Sequence, residues 1–191
     1  MSGLASCSRE VKTLSDFKKF DWSHVAESPH FITVRYLEEA RTCLESGAFR
    51  MSIVASACAL NFGLAFVLRR RGLIPNETEV PNLNNVIKRI WDYIYENPIT
   101  VLSEIPLDKC DKIRHWRNAF VHPEDFLILK QNSKKINYFT LVPKKKVSKD
   151  KENAWVASQY DKKKELKAMA EEALDIAYNS IREQLEKLML N

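Results

Sequence analysis

Residues 114–123 hold the densest group of chemically capable side chains in this 191-residue chain. They include two arginines, two histidines and an asparagine. Pro123 disfavours the helical conformation at His122, so the helix that carries Arg117 is predicted to end at or just before His122. A histidine at a helix end titrates near neutral pH, and an arginine holds phosphate with a planar fork of donors. These residues are a minimum set for cleaving a phosphodiester without a metal ion.

Each residue of this set has a definite chemical role in such a reaction. RNA supplies its own nucleophile, the 2′-hydroxyl, so His122 can take that proton or protonate the leaving 5′-oxygen. Arg117 can hold the phosphate and stabilise the charge that builds on it. Asn118 can orient His122 or the phosphate by hydrogen bonds. The products would be a 2′,3′-cyclic phosphate and a 5′-hydroxyl end, and we expect neither a metal nor a cofactor.

Helical geometry sets a condition on this pair. On a regular helix, Arg117 and His122 would lie about 140° apart around the axis. They converge only if the helix breaks before His122 or if the two residues come from two chains. Structural roles are the alternative for each residue alone: Arg117 would pair with Glu38 or Glu39, and His122 would cap the helix C-terminus.

Two long helices are predicted ahead of this stretch. Residues 31–46 carry apolar side chains at helical spacing and end at Gly47, and the apolar run 48–71 ends at Gly72. The second of these is barely long enough to span a membrane, and Ser52, Ser56 and Asn61 interrupt it. We therefore expect a helix at the centre of a soluble fold, packed against the first as an antiparallel hairpin.

Two further helices complete the predicted core. Asn82 is expected to cap a helix from Leu83 to about residue 97. Asp108 is expected to cap the helix that carries residues 114–123, with Trp116 in the core. The buried stripe of the first of these two helices is predicted to contain Val86, Ile87, Ile90, Trp91 and Ile94.

The pattern changes after Pro123. The β-prone runs 126–129 and 136–142, separated by a turn at 131–135, predict a hairpin. A basic linker follows, and a last helix is predicted from about residue 158 to 190, roughly 45 Å long. Part of that helix is expected to extend beyond the fold or to pack on a second copy. The predicted class is an all-α helical bundle forming one domain, residues 1–191, with an extension (1–30), core helices (31–123), a hairpin insertion and linker (124–157) and a C-terminal helix (158–190).

The order Arg117, Asn118, His122 and Pro123 resembles the signature of the HEPN superfamily. Residues 36–40 and 47–50, and the apolar helix that follows, are similar to the family's first two helices. The resemblance implies a helical bundle that dimerises, with two copies of the motif facing one cleft. Active members are metal-independent ribonucleases of toxin–antitoxin, abortive-infection and CRISPR-linked systems, and others are non-catalytic. Family members often carry an acid in the second helix, where this chain has Asn61.

The bulk composition permits a polyanionic partner. Thirty basic residues against 25 acidic ones give a net charge of +5. The cysteines Cys7, Cys43, Cys58 and Cys110 have no metal-ligand spacing, and Cys43 and Cys58 are predicted to be buried. The first residues lack the pattern of a signal peptide. We therefore expect a cytoplasmic, reducing compartment and no disulfide.

The predicted function is that of a metal-independent endoribonuclease in prokaryotic defence or a toxin–antitoxin system. Arg117, His122 and Asn118 are the catalytic candidates, and RNA, a second copy and an antitoxin or defence protein are the expected partners. The alternative is a non-catalytic module for dimerisation or for binding nucleic acid or protein. The candidates for substrate binding are Arg114, His115, Lys144, Lys145 and Lys146.

Overall fold

The computed structural model describes residues 31–75, 80–122, 126–133, 136–143, 154–156 and 163–189. The predicted N-terminal extension, Cys7 and the basic candidates Lys144, Lys145 and Lys146 lie outside the described residues. The described chain is a mainly helical bundle, as the sequence predicts. Its elements are α1 (Phe31–Glu45), α2 (Phe49–Arg70), α3 (Leu83–Glu96), a 3₁₀ turn (Val101–Glu104), α4 (Leu107–Val121), β1 (Phe126–Ser133), β2 (Ile136–Pro143), β3 (Ala154–Val156) and α5 (Lys163–Met189).

Glycines end the first two helices where the sequence predicts. Gly47 has φ +80°, and the N–H of Ala48 donates to the carbonyl of Cys43 at 2.8 Å. Gly72 has φ +69°, and the N–H of Leu73 donates to the carbonyl of Leu68 at 2.9 Å. A positive φ suits glycine because it has no β-carbon, and these bonds satisfy carbonyls that a helix end leaves open.

Helix α2 is the centre of the bundle, packing against α1, α5, α4 and α3. It is long and apolar enough to cross a membrane, but 67% of its apolar stretch is buried inside the protein. That burial is expected of the core helix of a soluble protein. Inside the hairpin, the hydroxyl of Ser52 donates to the carbonyl of Ala40 at 2.7 Å, so this buried polar group is satisfied.

Helix α3 begins at the predicted cap but buries a narrower stripe than predicted. The side chain of Asn82 accepts from the N–H of Asn85 at 3.0 Å. Val86 and Ile90 are fully buried, whereas Trp91 is 52% exposed and its predicted burial is wrong. Helix α3 packs against α2 and α4, and Trp91 lies outside the buried stripe of the helix.

Helix α4 starts differently from the prediction and ends where predicted. It begins after Pro106, and Asp108 lies in the first turn without accepting a capping bond, so its assignment as the cap is wrong. A carboxylate there still stabilises the positive end of the helix dipole. The helix ends at Val121, and His122 leaves the helical region with φ −122° and ψ 60°. Trp116 is buried in the core, as predicted.

Three strands follow α4 in the chain. Strands β1 and β2 pair antiparallel, with Phe126 opposite Pro143, and β3 pairs antiparallel with the other edge of β1. Strand β1 runs on to Ser133, through positions that the sequence placed in a turn, because Ser133 pairs with Ile136.

Helix α5 closes the bundle along α2. Its side chains from Leu166 to Gln184 contribute to the core, and Gln184 donates to the carbonyl of Val101 at 3.0 Å. Lys187 forms an ion pair with Glu104. The described helix therefore packs on the bundle along its length, where the sequence suggested that part of it extends beyond the fold. Its predicted start at residue 158 lies outside the described residues.

Candidate functional site

One cleft brings together three of the residues that the sequence singles out. Its volume is about 380 Å³, within the range of ligand pockets, and α2, the start of α3 and α4 form its wall. Arg114, Arg117 and Asn118 all line it. We call this the site cleft; its other lining residues are Ala57, Cys58, Asn61, Phe62, Asn82, Leu83 and Asn84.

The electrostatics of the site cleft favour an anion. Arg114 and Arg117 are the charged residues in its described wall, and both are partly buried. The first residues of α3 complete the wall, and the N-terminus of a helix is the positive end of its dipole. A phosphate group has the charge and the acceptor oxygens that such a wall would bind.

Arg117 is held by its neighbour. Its Nη1 donates to Oδ1 of Asn118 at 3.1 Å. Within the described chain no ion pair joins Arg117 to Glu38 or Glu39, so the structural role considered for Arg117 is not seen. The amide oxygen of Asn118 is engaged with Arg117, which favours a role for Asn118 in orienting the guanidinium.

Arg114 is anchored by a carboxylate that the sequence did not single out. Its Nε donates to Oδ1 of Asp111 at 2.6 Å, and its Nη2 lies 2.8 Å from Nε2 of His115. Oδ2 of Asp111 lies 3.3 Å from the same nitrogen of His115. The spacings i, i+3 and i, i+4 from Asp111 are the signal that predicts this cluster. His115 thus contacts Arg114 and the carboxylate of Asp111 that holds it, and it does not line the site cleft.

His122 lies outside the site cleft. Its side chain is exposed, and it follows the last residue of α4. Its backbone N–H donates to the carbonyl of Asn118 at 2.8 Å, so the backbone, and not the imidazole, satisfies that carbonyl. The helix breaks where the sequence predicts, yet within one chain His122 is not part of the wall that carries Arg117.

Asn61 occupies the wall of the site cleft with an unsatisfied polar atom. Its Oδ1 is buried and has no hydrogen-bond partner among the described residues. Leaving a buried acceptor unpaired costs about 1–3 kcal/mol, so the amide is a polar group with capacity for a ligand or water. Asn61 belongs to α2, so the site cleft has a polar group from that helix as well as the arginines of α4.

Cys58 is a protonated thiol in the same wall. Burial raises its pKa, an effect that the positive charge of Arg117 opposes and the negative charge of Glu39 reinforces. The thiolate is the nucleophilic form of cysteine, so Cys58 is poorly suited to nucleophilic chemistry at neutral pH. Both Cys43 and Cys58 are partly exposed, so the prediction that they are buried is wrong.

The described residues contain no group of three or more histidine, cysteine, aspartate or glutamate side chains placed to hold a metal ion. No family model, curated protein or solved structure matches the chain. The resemblance of Arg117, Asn118 and His122 to the HEPN motif therefore stays a prediction from the sequence.

Proposed function

We propose that this chain is a metal-independent endoribonuclease with an HEPN-like bundle, made of α1 to α5, into which the β-strands are inserted. The observation that most supports this proposal is the environment of the Arg117 side chain. Its guanidinium lines a cleft, has no carboxylate partner among the described residues, is oriented by Asn118, and belongs to the helix that ends at His122. A cation kept from a carboxylate in this way suits a phosphate ligand.

In the proposed reaction, the 2′-hydroxyl of RNA attacks the adjacent phosphorus. His122 accepts the hydroxyl proton or donates a proton to the departing 5′-oxygen. Arg117 stabilises the charge on the phosphate oxygens, with Arg114 as a second cation in the same wall. One P–O bond forms as another breaks, leaving a 2′,3′-cyclic phosphate and a 5′-hydroxyl end.

We further propose that the working form is a homodimer. Arg117 and His122 do not share the wall of one cleft within a chain. A two-fold axis brings the same surface of two copies together, so that His122 of one copy can complete the cleft of the other. Such a composite site meets the geometric condition that the five-residue spacing imposes.

The first test is RNA cleavage in EDTA. Wild-type protein is expected to cut single-stranded RNA to cyclic-phosphate ends, and His122→Ala and Arg117→Ala are each expected to lose activity by at least about a hundredfold. Lys164→Ala, an exposed change on α5, is the matched control and is expected to cleave as wild type does. Equal cleavage by all four proteins, or none by any, would contradict the proposal.

A mixing experiment tests the composite site. When Arg117→Ala and His122→Ala subunits are mixed and allowed to exchange, heterodimers regain one complete site. Activity is then expected to recover to about a quarter of the wild-type value. No recovery, with dimer exchange confirmed by mass measurement, would place both residues in a site of one chain.

An endoribonuclease of this kind would damage its own cell if unrestrained. We therefore propose a role in prokaryotic defence or as a toxin, with an antitoxin or defence protein that restrains it. Expression of the wild-type chain alone is expected to arrest bacterial growth, and expression of His122→Ala is not. Growth arrest by both would assign toxicity to something other than cleavage.

A non-catalytic module is the second candidate. Asn61, in a wall where the resembled family often carries an acid, and the position of His122 outside the cleft favour it. Such a protein would bind a polyanion or a partner protein without cutting RNA. Its signature would be RNA binding that depends on Arg117 with no cleavage in the wild type.

A further inference from the structure

Two more clefts adjoin the site cleft. One, the arginine cleft, has a volume of about 470 Å³ and is lined by Ile32, Thr33, Phe62, Phe66, Arg69, Arg70 and Val80. The other, the lysine cleft, has a volume of about 820 Å³ and is lined by Val80, Pro81, Asn82, Asn85, Lys88, Arg89 and Asp92.

Shared residues join the three clefts into one surface. Phe62 lines both the site cleft and the arginine cleft, and Asn82 lines both the site cleft and the lysine cleft. Val80 lines the arginine and lysine clefts. The three clefts therefore adjoin one another across α1, α2, α3 and α4, and we call them together the joined groove.

The joined groove concentrates positive charge. The charged residues of its described wall are six cations and one carboxylate, whereas the whole chain has 30 basic and 25 acidic residues. The carboxylate is Asp92, and the cations are Arg69, Arg70, Lys88, Arg89, Arg114 and Arg117. A groove lined mainly by positive charge attracts an extended polyanion, because each phosphate contact releases counterions.

Aromatic rings lie beside these cations in the arginine cleft. The guanidinium of Arg70 lies 6.0 Å from the centroid of the Phe66 ring. Phe62 stacks on Tyr36, with ring centroids 5.6 Å apart and an interplanar angle of 16°, so its ring is fixed in place. Single-stranded nucleic acids are bound by this combination of cations along the backbone and aromatic faces for bases.

We propose that the joined groove binds a single strand of RNA over several nucleotides, with the reacting phosphate at Arg117. Flanking phosphates contact Arg70 in the arginine cleft and Lys88 in the lysine cleft, and a flanking base lies against Phe62 or Phe66. A duplex is a poor ligand, since its bases are stacked on one another and cannot meet the rings. This assignment rests on the proposed function and extends it to the class of substrate.

The test compares two charge-matched double variants by fluorescence anisotropy in EDTA. Arg70→Gln with Lys88→Gln removes one cation from the arginine cleft and one from the lysine cleft. Lys164→Gln with Lys167→Gln removes two exposed cations from α5, outside all three clefts. Both are made with His122→Ala to limit cleavage, and the probes are a short single-stranded RNA and its duplex.

The groove variant is expected to bind the single strand about tenfold more weakly and the control about as tightly as the parent. The slope of log affinity against log salt is expected to fall by roughly 1.4 for the groove variant, two phosphate contacts at about 0.7 each. Equal loss in both variants, or duplex binding as tight as single-strand binding, overturns the assignment of the joined groove.

Cleavage measured in parallel separates this inference from the proposed function. If RNA binding depends on Arg70 and Lys88 but the wild type does not cleave RNA, the proposed ribonuclease activity is contradicted and RNA binding in the joined groove is supported. Cleavage by the wild type with unchanged binding by the groove variant contradicts the groove alone. A wild type that binds no RNA contradicts both.

Discussion

Arg117 donates a hydrogen bond from Nη1 to Oδ1 of Asn118, the next residue in the chain, at 3.1 Å. Adjacent residues on a helix point about 100° apart, so this bond turns the two side chains toward each other. The bond limits the rotation of the Arg117 side chain in the site cleft. An arginine that is already ordered loses less conformational entropy when a ligand binds. In this conformation Asn118 therefore positions the guanidinium of Arg117.

This relationship predicts the behaviour of Asn118→Ala. We expect about a tenfold loss of RNA cleavage, the size of one hydrogen bond to a charged group. In an Arg117→Ala background the same change is expected to cause no further loss, because its only route of action has been removed. The measurement is a double-mutant cycle of cleavage rates under single-turnover conditions. Multiplicative losses would instead assign Asn118 to His122 or to the phosphate.

Asn61→Leu is expected to leave the folded protein as stable as the wild type or to stabilise it by about 1 kcal/mol. Leucine has the same branched shape as asparagine, and the change removes a buried acceptor for which the described part of the chain offers no partner. Asn82→Leu is the comparison, since it removes the cap of α3 and is expected to destabilise by about 1 kcal/mol. Urea unfolding of both variants checks this. A loss for Asn61→Leu as large as for Asn82→Leu would show that the amide is satisfied in solution.

Gly63→Ala is expected to destabilise the bundle by about 1–3 kcal/mol. A β-carbon at Gly63 would lie 2.7 Å from Cγ1 of Ile181, across the contact between α2 and α5. Gly47→Ala is the comparison, because nothing lies within 4 Å of its β-carbon and only its φ of +80° is strained.

Thermal unfolding of the double variant isolates the contact at Gly63. In an Ile181→Ala background, Gly63→Ala is expected to lose most of its effect, whereas Gly47→Ala keeps its own. An unchanged effect of Gly63→Ala in that background would mean that backbone conformation, and not this contact, explains the glycine.

Cys110 is expected to make the stability of the protein fall at alkaline pH. Burial raises the pKa of its thiol from 9.0 to about 12. The folded protein thus resists an ionisation that the unfolded chain undergoes above pH 9. The stabilisation is complete below pH 9 and is lost as the pH rises toward 12, at about 1.4 kcal/mol per pH unit.

The measurement is urea unfolding of wild type and Cys110→Ala at pH 8 and pH 11. Lysines and tyrosines titrate in both proteins, so the comparison isolates Cys110. Between these two pH values the wild type is expected to lose roughly 3 kcal/mol more than the variant. Parallel losses in the two proteins would show that the thiol ionises within the folded protein.

The parts of the fold that follow from local chemistry could be predicted from the sequence. To predict that α1 and α2 end at Gly47 and Gly72, it was enough to find a residue that accepts a positive φ. The start of α3 at Asn82 needed only a side-chain acceptor in reach of open N–H groups. The end of α4 before His122 needed only the steric effect of Pro123. Asp108 shows the limit, since its carboxylate suits a cap but the chain enters the helix two residues earlier than that role requires.

The sequence by itself determined the helices, their order and the grouping of Arg114, Arg117 and Asn118 on one of them, because these depend on periodicity and on neighbours in the chain. Tertiary packing alone decided that Trp91 is exposed, that Asn61 faces the same cleft as Arg117, and that His122 lies outside it. Those facts depend on which helix covers which face. Such contacts join residues far apart in the sequence, and no local pattern of residue types encodes the distance between them.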